Sequence, residues 1–241
     1  MPTLNYGTTA IDYILHRQAR ADLKISVTLV GGVEVYAPES LNESAINRHL
    51  QKKASWILHK IHSLRQVETK ITPYELISGE KLPYLGRYYR LKVHRDHMHA
   101  CRLRFFQGRF VAEVPINMSQ DEISQTLKRQ LTQWYRRQAT KRLHKRAAHF
   151  QSLMNITPNS MQTRTQHKRW GTCTPDGDIY INWRLIMAPA DVFDYVIVHE
   201  LAHLIIQDHS QAFWKVVKSI LPNYEKQKEW LRINGMKLHC I

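Results

Sequence analysis

Hydrophobic and polar residues alternate in two short stretches near the N-terminus, separated by a pair of glycines. Residues 23–30 alternate in the manner of a strand, Gly31-Gly32 is a turn signal, and residues 33–37 resume the alternation. Successive side chains of a strand point to opposite faces, and glycine pairs adopt the backbone angles of tight hairpin turns. The pattern predicts a β-hairpin that ends at Pro38.

The next stretch has a helical period. Ser40 is a candidate N-cap, and Glu43 three residues later strengthens this signal for a helix start. The apolar residues that follow recur at helical spacing: Ala45, Ile46, Leu50, Ala54, Ile57, Leu58 and Ile61. Such spacing places them on one face, so we expect a helix of about two dozen residues.

The alternation returns between residues 81 and 115. Three segments, 88–94, 100–106 and 110–114, have the length and the residue types of strands. Together with the hairpin and the helix, they predict that residues 1–118 form a β-rich region with one helix.

A long amphipathic pattern covers residues 119–150. Ser119 and Glu122 have the spacing of a capping box. One face of the predicted helix is apolar: Ile123, Leu127, Leu131, Trp134, Tyr135, Ala139, Leu143, Ala147 and Phe150. Another face is basic: Lys128, Arg129, Arg136, Arg137, Lys141, Arg142, Lys145 and Arg146. The apolar face predicts a helix packed on a core.

Two more strands, 161–167 and 178–183, are predicted on either side of a turn at residues 174–177. Pro189 then begins an apolar helix that we expect to run to about Ile206. Residues 208–210 interrupt it, and helices follow at 211–221 and 224–233. The fold class is therefore α+β, and we expect residues 119–241 to form the second domain, packed with the first as one compact unit. The helical tryptophans are expected in the core: Trp56, Trp134, Trp214 and Trp230.

Composition restricts the class of protein further. The 241 residues are 43% hydrophobic with only 9 Gly and 9 Pro, which excludes disordered and collagen-like chains. Three cysteines, widely spaced, indicate neither a disulfide framework nor a cysteine zinc finger. No secretory leader or long apolar segment is present, so we expect a cytoplasmic protein without a membrane span.

The charge is large and unevenly distributed. The formal net charge is +15; residues 1–150 hold 25 basic and 12 acidic residues, whereas residues 151–241 hold 10 and 8. A basic surplus of this size favours an anionic partner or serves only solubility. Because eight of the basic residues lie within 119–150, this helix is a candidate nucleic-acid surface, with a solvated helix face as the alternative.

The strongest chemical signal is the motif His199-Glu200-Leu201-Ala202-His203 in the apolar helix. Residues four apart lie on one helix face, so both imidazoles can bind one zinc ion. The carboxylate of Glu200 can then accept a proton from a water bound to the metal and pass it to a leaving group. The pattern predicts a catalytic Zn²⁺ site, although manganese or nickel would also suit these ligands.

A third protein ligand is needed for such a site, and His209 is the candidate. A straight helix would carry His209 away from the metal, so we expect the chain to turn at Gln207-Asp208. The spacing matches the pattern H-E-x-x-H-x-x-G-x-x-H, but Ile206 replaces its glycine. The sequence therefore does not favour a metzincin proper.

Several neighbours of the motif are candidates for supporting roles. Lys168, Arg169 and Arg184 could bind substrate, stabilise an oxyanion or form structural salt bridges. Asp194 or Tyr195, about one turn before His199, could hydrogen-bond a metal ligand. Cys173 is an additional candidate ligand, or else a small packed residue.

The chain also resembles the YgjP-like metallopeptidase family. The matching segments include Arg169-Trp-Gly-Thr-Cys173, Asn182-Trp-Arg-Leu-Ile186, Ala188-Pro189, residues 194–204, His209-Ser210, Phe213-Trp214, Pro222-x-Tyr224 and Trp230-Leu231, with Leu82-Pro-Tyr-Leu-Gly86 and Trp134-Tyr135 earlier in the chain. The resemblance implies a zincin-like core, akin to that of SprT-like proteases, with His199, His203 and His209 as zinc ligands around Glu200. It also implies that an edge strand holds peptide substrate, and residues 178–183 are the candidate, with an ordinary sheet strand as the alternative.

Three functions follow from these features. The first is zinc-dependent hydrolysis of peptide bonds in a peptide or protein substrate, with Glu200 as general base and acid. The second is a metal-dependent nucleotide phosphohydrolase that releases pyrophosphate from nucleoside triphosphates, because basic residues adjoin the motif. The third is a nucleic-acid-binding module, which can be combined with proteolysis if nucleic acid recruits the protease.

Overall fold

The computed structural model describes residues 2–7, 9–19, 21–28, 32–65 and 73–241. Contacts divide the chain into two units, residues 1–70 and residues 71–241, which are described separately below. The sequence placed the division between residues 118 and 119. The two divisions differ in where they assign the strands of residues 81–115, which pack in the second unit for the reason given below.

The first unit is a four-stranded sheet with one helix. The sheet has the order β1-β2-β4-β3, and the helix is α1. Their bounds are β1 Thr3–Tyr6, β2 Thr9–Gln18, β3 Lys24–Thr28, β4 Gly32–Pro38 and α1 Glu43–Arg65. The antiparallel pair β3 and β4 confirms the predicted hairpin strands, whereas the predicted turn falls on residues 29–31, outside the described residues. The alternation analysis missed β1 and β2.

The N-cap of helix α1 lies two residues after the predicted one. The Oδ1 of Asn42 accepts a hydrogen bond from the Ala45 N–H at 2.8 Å, so Asn42 and not Ser40 is the N-cap. Trp56 was expected in the core, but its side chain is on the outer face and is 46% exposed. The apolar stripe that includes Ile46 and Ile57 is buried as predicted.

The second unit begins with another four-stranded sheet, which has the order β5-β6-β8-β7. Its strands are β5 Lys81–Tyr84, β6 Arg87–Asp96, β7 Arg102–Phe106 and β8 Arg109–Pro115. The last three correspond to predicted strands. Apolar residues of this sheet, among them Leu91 and Phe110, belong to the same hydrophobic cluster as the long helix that follows. This shared core places the sheet in the second unit.

The long helix α2, Gln120–Met154, confirms the amphipathic pattern. Ser119 and Glu122 form the predicted capping box, and the nine residues of the predicted apolar stripe are the helix's buried residues. Part of the basic face is occupied within the fold: Arg142 and Arg146 form ion pairs with Asp194, and Arg136 donates to the Thr165 hydroxyl.

A three-stranded sheet lies beside α2, with the order β10-β11-β9. Its strands are β9 Ser160–Arg164, β10 Gly171–Cys173 and β11 Asp178–Asn182. Strand β11 was the candidate substrate-binding edge, but β10 and β9 pair with its two sides. That assignment is therefore wrong, because both rows of backbone groups on β11 are already paired. The edge at the active-site motif is β10, which the sequence analysis missed.

Three helices complete the chain: α3 Ala190–Ala202, α4 Gln211–Ile220 and α5 Tyr224–Asn234. Short 3₁₀ helices, Trp183–Met187 and Gly235–His239, precede α3 and follow α5. Within the described residues, none of the helices combines the length and the apolarity needed to cross a membrane. The structure is thus a mixed α+β fold in which α3 carries the predicted metal-binding motif.

Candidate metal centre

Helix α3 ends inside the motif, at Ala202, rather than at the predicted end near Ile206. His203 is the C-cap, and the N–H groups of Ile205 and Ile206 turn back to the carbonyl of Ala202. The break thus comes before the predicted Gln207-Asp208. No residue from 203 to 210, all of them described, has a positive φ, so Ile206 fits where the metzincin pattern has glycine.

This turn brings His209 back to the two histidines of α3. The Nε2 atoms of His199 and His209 are 3.1 Å apart, and one nitrogen from each of the three imidazoles lies within 4.8 Å of the others. Two ligands at about 2.0–2.1 Å from a tetrahedral zinc are roughly 3.3 Å apart. Among the described residues, these three are the only cluster of three or more potential metal ligands.

The orientation and charge of the imidazoles also fit a metal ion. The Nδ1 of His203 lies 3.2 Å from the carbonyl oxygen of Ile206, which leaves Nε2 directed to the cluster. Burial, with the neighbouring histidines, lowers the pKa of His199 to about 3, and burial also lowers the pKa of His209. Neutral imidazoles at pH 7 have free lone pairs, which are the donors that zinc prefers.

The aromatic ring of Phe213 packs against all three histidines. Its ring centroid lies 5.0 Å from His199, 4.6 Å from His203 and 4.9 Å from His209, and the side chain is fully buried. The helical spacing did not reveal this role, because Phe213 lies on α4 and contacts the motif only through the tertiary fold. Its position four residues after His209 is the only signal in the sequence.

Glu200 is buried beside the cluster, and a glycine makes room for it. Its relative exposure is 6%, and burial raises the pKa of its carboxyl to about 7, against a hydrogen bond from the Cys173 backbone and the charge of Arg169. A Cβ atom at Gly171 would lie 2.4 Å from the Glu200 Oε1. Gly171 on β10 is therefore required sterically, and the sequence analysis did not identify this contact.

The cluster and Glu200 share a cavity of about 310 Å³. Its walls are formed by Arg169, Gly171, Thr172, Cys173, His199, Glu200, His203, Gln207 and His209. Of the three basic candidates, Arg169 lines the cavity and Lys168 is not among its lining residues. Arg184 instead donates to the carbonyl oxygen of Ile241 and lies over the Trp183 ring. The structure therefore ties Arg184 to the C-terminal segment, away from this cavity.

Other predicted supporting roles have different outcomes. Cys173 is not part of the ligand cluster, and its Sγ faces the carbonyl of Thr174. The Nδ1 of His199 is buried and has no hydrogen-bond partner among the described residues, so neither Asp194 nor Tyr195 supplies the expected bond. Asp194 instead pairs with the arginines of α2, and this ion pair joins α3 to α2.

Two residues close to the histidines were not predicted to lie there. The ring of Trp214 lies 5.7 Å from those of both His199 and His209, and it is stacked with His209. Lys228 of α5 places its Nζ 4.0 Å from the Trp214 ring centroid. The Lys228 charge contributes to the lowered pKa of both histidines.

The fold and the cluster define a class: mixed α+β proteins in which a helix and the turn after it present three histidines for a metal ion. The chain belongs to the YgjP-like metallopeptidase family, since the model described as "YgjP-like, metallopeptidase domain" matches residues 21–234. This confirms the resemblance found in the sequence.

A solved structure adds little to this assignment. The crystal structure of the metallopeptidase zymogen of Pyrococcus abyssi abylysin aligns with 39% of this chain and 92% of its own, at 20% identity and a TM-score of 0.35. A likeness of this strength carries no argument. No curated protein matches the sequence significantly.

Proposed function

We propose that this protein is a zinc-dependent peptidase with a zincin-like core, in which α2 backs the small sheet and α3 carries the catalytic motif. The observation that carries the proposal is the single cavity that Glu200 shares with His199, His203 and His209. Membership of a metallopeptidase family makes the peptide bond the first substrate to consider. Three free cysteines agree with a reducing compartment such as the cytoplasm.

The three histidines would hold the metal, and their geometry leaves one side of the cluster open to the cavity. When bound there, zinc supplies Lewis acidity and lowers the pKa of a coordinated water toward about 7. The protein's part is to keep His199 and His209 neutral through burial, which lowers the pKa of both, and to fix the three imidazoles through Phe213 and through the Ile206 carbonyl.

Glu200 would move the proton. A carboxylate whose pKa is raised to about 7 can accept a proton and return it near neutral pH. The Cys173 backbone fixes its position by donating to the carboxylate, and Gly171 provides the space that the carboxylate occupies. The carboxylate would accept the proton of the attacking water and deliver it to the leaving amine.

Strand β10 offers a place for an extended peptide. Among the described residues it pairs only with β11, so no strand covers its other edge, where the Cys173 N–H donates to Glu200. Two of its residues, Gly171 and Cys173, also line the cavity. A peptide added to this edge would pass beside Glu200, and this replaces the earlier assignment of substrate binding to β11.

The test compares Glu200→Gln with His209→Ala in purified protein. We expect Glu200→Gln to keep its zinc and to lose peptide hydrolysis by about 10²–10⁴-fold, because only proton transfer is removed. His209→Ala should lose both zinc and hydrolysis. Glu225→Gln and His144→Ala, which change exposed residues of α5 and α2, serve as matched controls. Full hydrolysis by Glu200→Gln would refute the mechanism.

The nucleotide hypothesis has one supporting observation, since Arg169 lines the cavity and could contact a phosphate. Lys168 is absent from the lining and Arg184 is bound elsewhere, which weakens the basis on which the hypothesis was made. Pyrophosphate release from nucleoside triphosphates by the zinc-loaded protein would support it.

The nucleic-acid hypothesis now concerns fewer residues. With Arg136, Arg142 and Arg146 in contacts within the fold, five exposed cations remain on α2: Lys128, Arg129, Arg137, Lys141 and Lys145. Binding through these residues would weaken steeply as salt rises, because phosphate contacts release counterions.

A further inference from the structure

Two exposed cations from different elements lie near the metal-binding cluster: Arg169 is part of the cavity wall, and Lys228 lies outside that wall. Arg169 lies two residues before β10 and lines the cavity on the side of Glu200. Lys228 lies on α5, where its ammonium group is held 4.0 Å from the centroid of the Trp214 ring. Because the centroid of that ring is itself 5.7 Å from those of His199 and His209, Lys228 lies within about three residues of extended peptide from the cluster.

Neither cation is neutralised within the fold. In the part of the chain that the structure describes, no carboxylate lies within ion-pair distance of Arg169 or Lys228. The acidic neighbours of Lys228 on α5 have partners of their own, since Glu225 faces Lys218 and Glu229 pairs with Arg232. The only acidic residue among the cavity walls is Glu200, which is buried and belongs to the metal-binding motif itself.

The contact with Trp214 fixes Lys228 without using its hydrogen-bond donors. A cation over an aromatic face is attracted by the ring quadrupole, and its N–H groups stay available to another partner. Lys228 is exposed, so those donors are accessible to a molecule that approaches the histidines from solvent. Arg169 is exposed as well, and its guanidinium group suits a carboxylate, which it can bind through two parallel hydrogen bonds.

We infer that Arg169 and Lys228 form an anion subsite that recognises a substrate carboxylate next to the scissile bond. This inference depends on the proposed function and names its substrate class: peptides with a carboxylate within about three residues of the bond that is cleaved. The carboxylate can belong to the peptide's C-terminus or to an aspartate or glutamate side chain.

The test uses small metal-binding probes that differ in whether they carry a carboxylate and in how far it lies from the hydroxamate. Acetohydroxamate, succinate monohydroxamate and glutarate monohydroxamate are titrated into the zinc-loaded protein, and the dissociation constants are measured calorimetrically. We expect the carboxylate of at least one longer probe to increase affinity about tenfold, the usual scale of a charge-assisted hydrogen bond. Arg169→Ala and Lys228→Ala should each abolish most of this gain and leave acetohydroxamate binding unchanged.

The chain offers matched controls for both changes. Lys168→Ala removes the neighbouring cation that does not line the cavity, and Lys226→Ala removes an exposed lysine of the same helix α5. Both controls should keep the carboxylate gain. Equal affinity for all three probes in the unmodified protein, or an equal gain in all variants, would overturn the inference.

The outcomes also separate this inference from the proposed function. If no probe binds the protein loaded with zinc, the metal has no open coordination position and both proposals fail. If the probes bind equally, only the anion subsite fails. If the carboxylate probes bind more tightly, a second comparison identifies the source of the carboxylate. It measures hydrolysis of peptides with a free C-terminus against amidated peptides that contain an internal glutamate.

Discussion

The two sides of the cavity are organised by different physical means. On the histidine side, three imidazoles pack against the ring of Phe213. One turn of α3 and the bend after it set the positions of these imidazoles. On the glutamate side, the carboxylate of Glu200 occupies space that exists only because residue 171 has no side chain. The proposed metal side thus depends on side chains that are present, and the side of the proposed general base depends on the absence of a side chain at residue 171.

This contrast predicts different responses to substitution. Changes on the histidine side should alter metal affinity, whereas changes on the glutamate side should leave the metal in place and alter the reaction. Three substitutions test the contrast, in order of decreasing expected effect.

The largest effect is expected for Gly171→Ala. The added Cβ would lie 2.4 Å from the Glu200 Oε1 and 2.6 Å from its Cγ, so the carboxylate must move. We expect peptide hydrolysis to fall by about 10²–10⁴-fold, similar to the loss of a general base, while the protein retains its zinc. Thr172→Ser, a small change on the same strand, is the control. A Gly171→Ala protein with normal activity would show that Glu200 tolerates the displacement.

A smaller effect concerns stability and its pH dependence. The carboxyl pKa of Glu200 is raised from 4.5 to about 7, so the folded protein binds this proton more tightly than the unfolded chain. The stabilisation from the proton is complete below pH 4.5 and is lost as pH rises through 7. In metal-free protein at about pH 8, Glu200→Gln should therefore be more stable than the unmodified chain by about 3 kcal/mol.

Urea unfolding of both metal-free proteins at several pH values measures this difference. It should shrink toward zero between pH 8 and pH 4.5, because the unmodified carboxyl is protonated in both states at the lower pH. A difference that does not change with pH would mean that burial does not raise this pKa.

The smallest of the three effects is expected for Phe213→Leu. Leucine keeps an apolar side chain in the buried position but removes the ring that contacts all three imidazoles. We expect zinc affinity to fall about tenfold, at the lower end of what outer contacts of metal ligands contribute. Competition with a zinc-binding dye measures this, and Phe106→Leu, at an exposed site of β7, is the control. Unchanged zinc affinity would show that the bend alone positions the histidines.

The elements predicted best are those with a regular local period. The capping box and all nine buried residues of α2 follow from the sequence, because a helix repeats its faces every 3.6 residues. The pair His199 and His203 follows for the same reason. His209 was predicted from the need for a third ligand, although the helix ends earlier than expected, at Ala202.

The elements that were missed or misplaced depend on contacts distant in sequence. Strand β10 has only three residues and no alternation to detect, so the edge was assigned to β11. The cation at Arg184 looked close to the motif, but the fold places it against Ile241 and Trp183. Trp56 has the period of the α1 core and yet lies largely outside it.

The sequence by itself therefore determined the α+β class, the backing helix and the ligand set that we propose, since each depends on residues a few positions apart. Only the tertiary structure decided that Gly171 makes room for Glu200, that Phe213 contacts the three histidines and that Lys228 lies over the Trp214 ring beside them. The physical reason is that steric fit and ring contacts depend on how separate elements pack, and such packing has no period in the sequence.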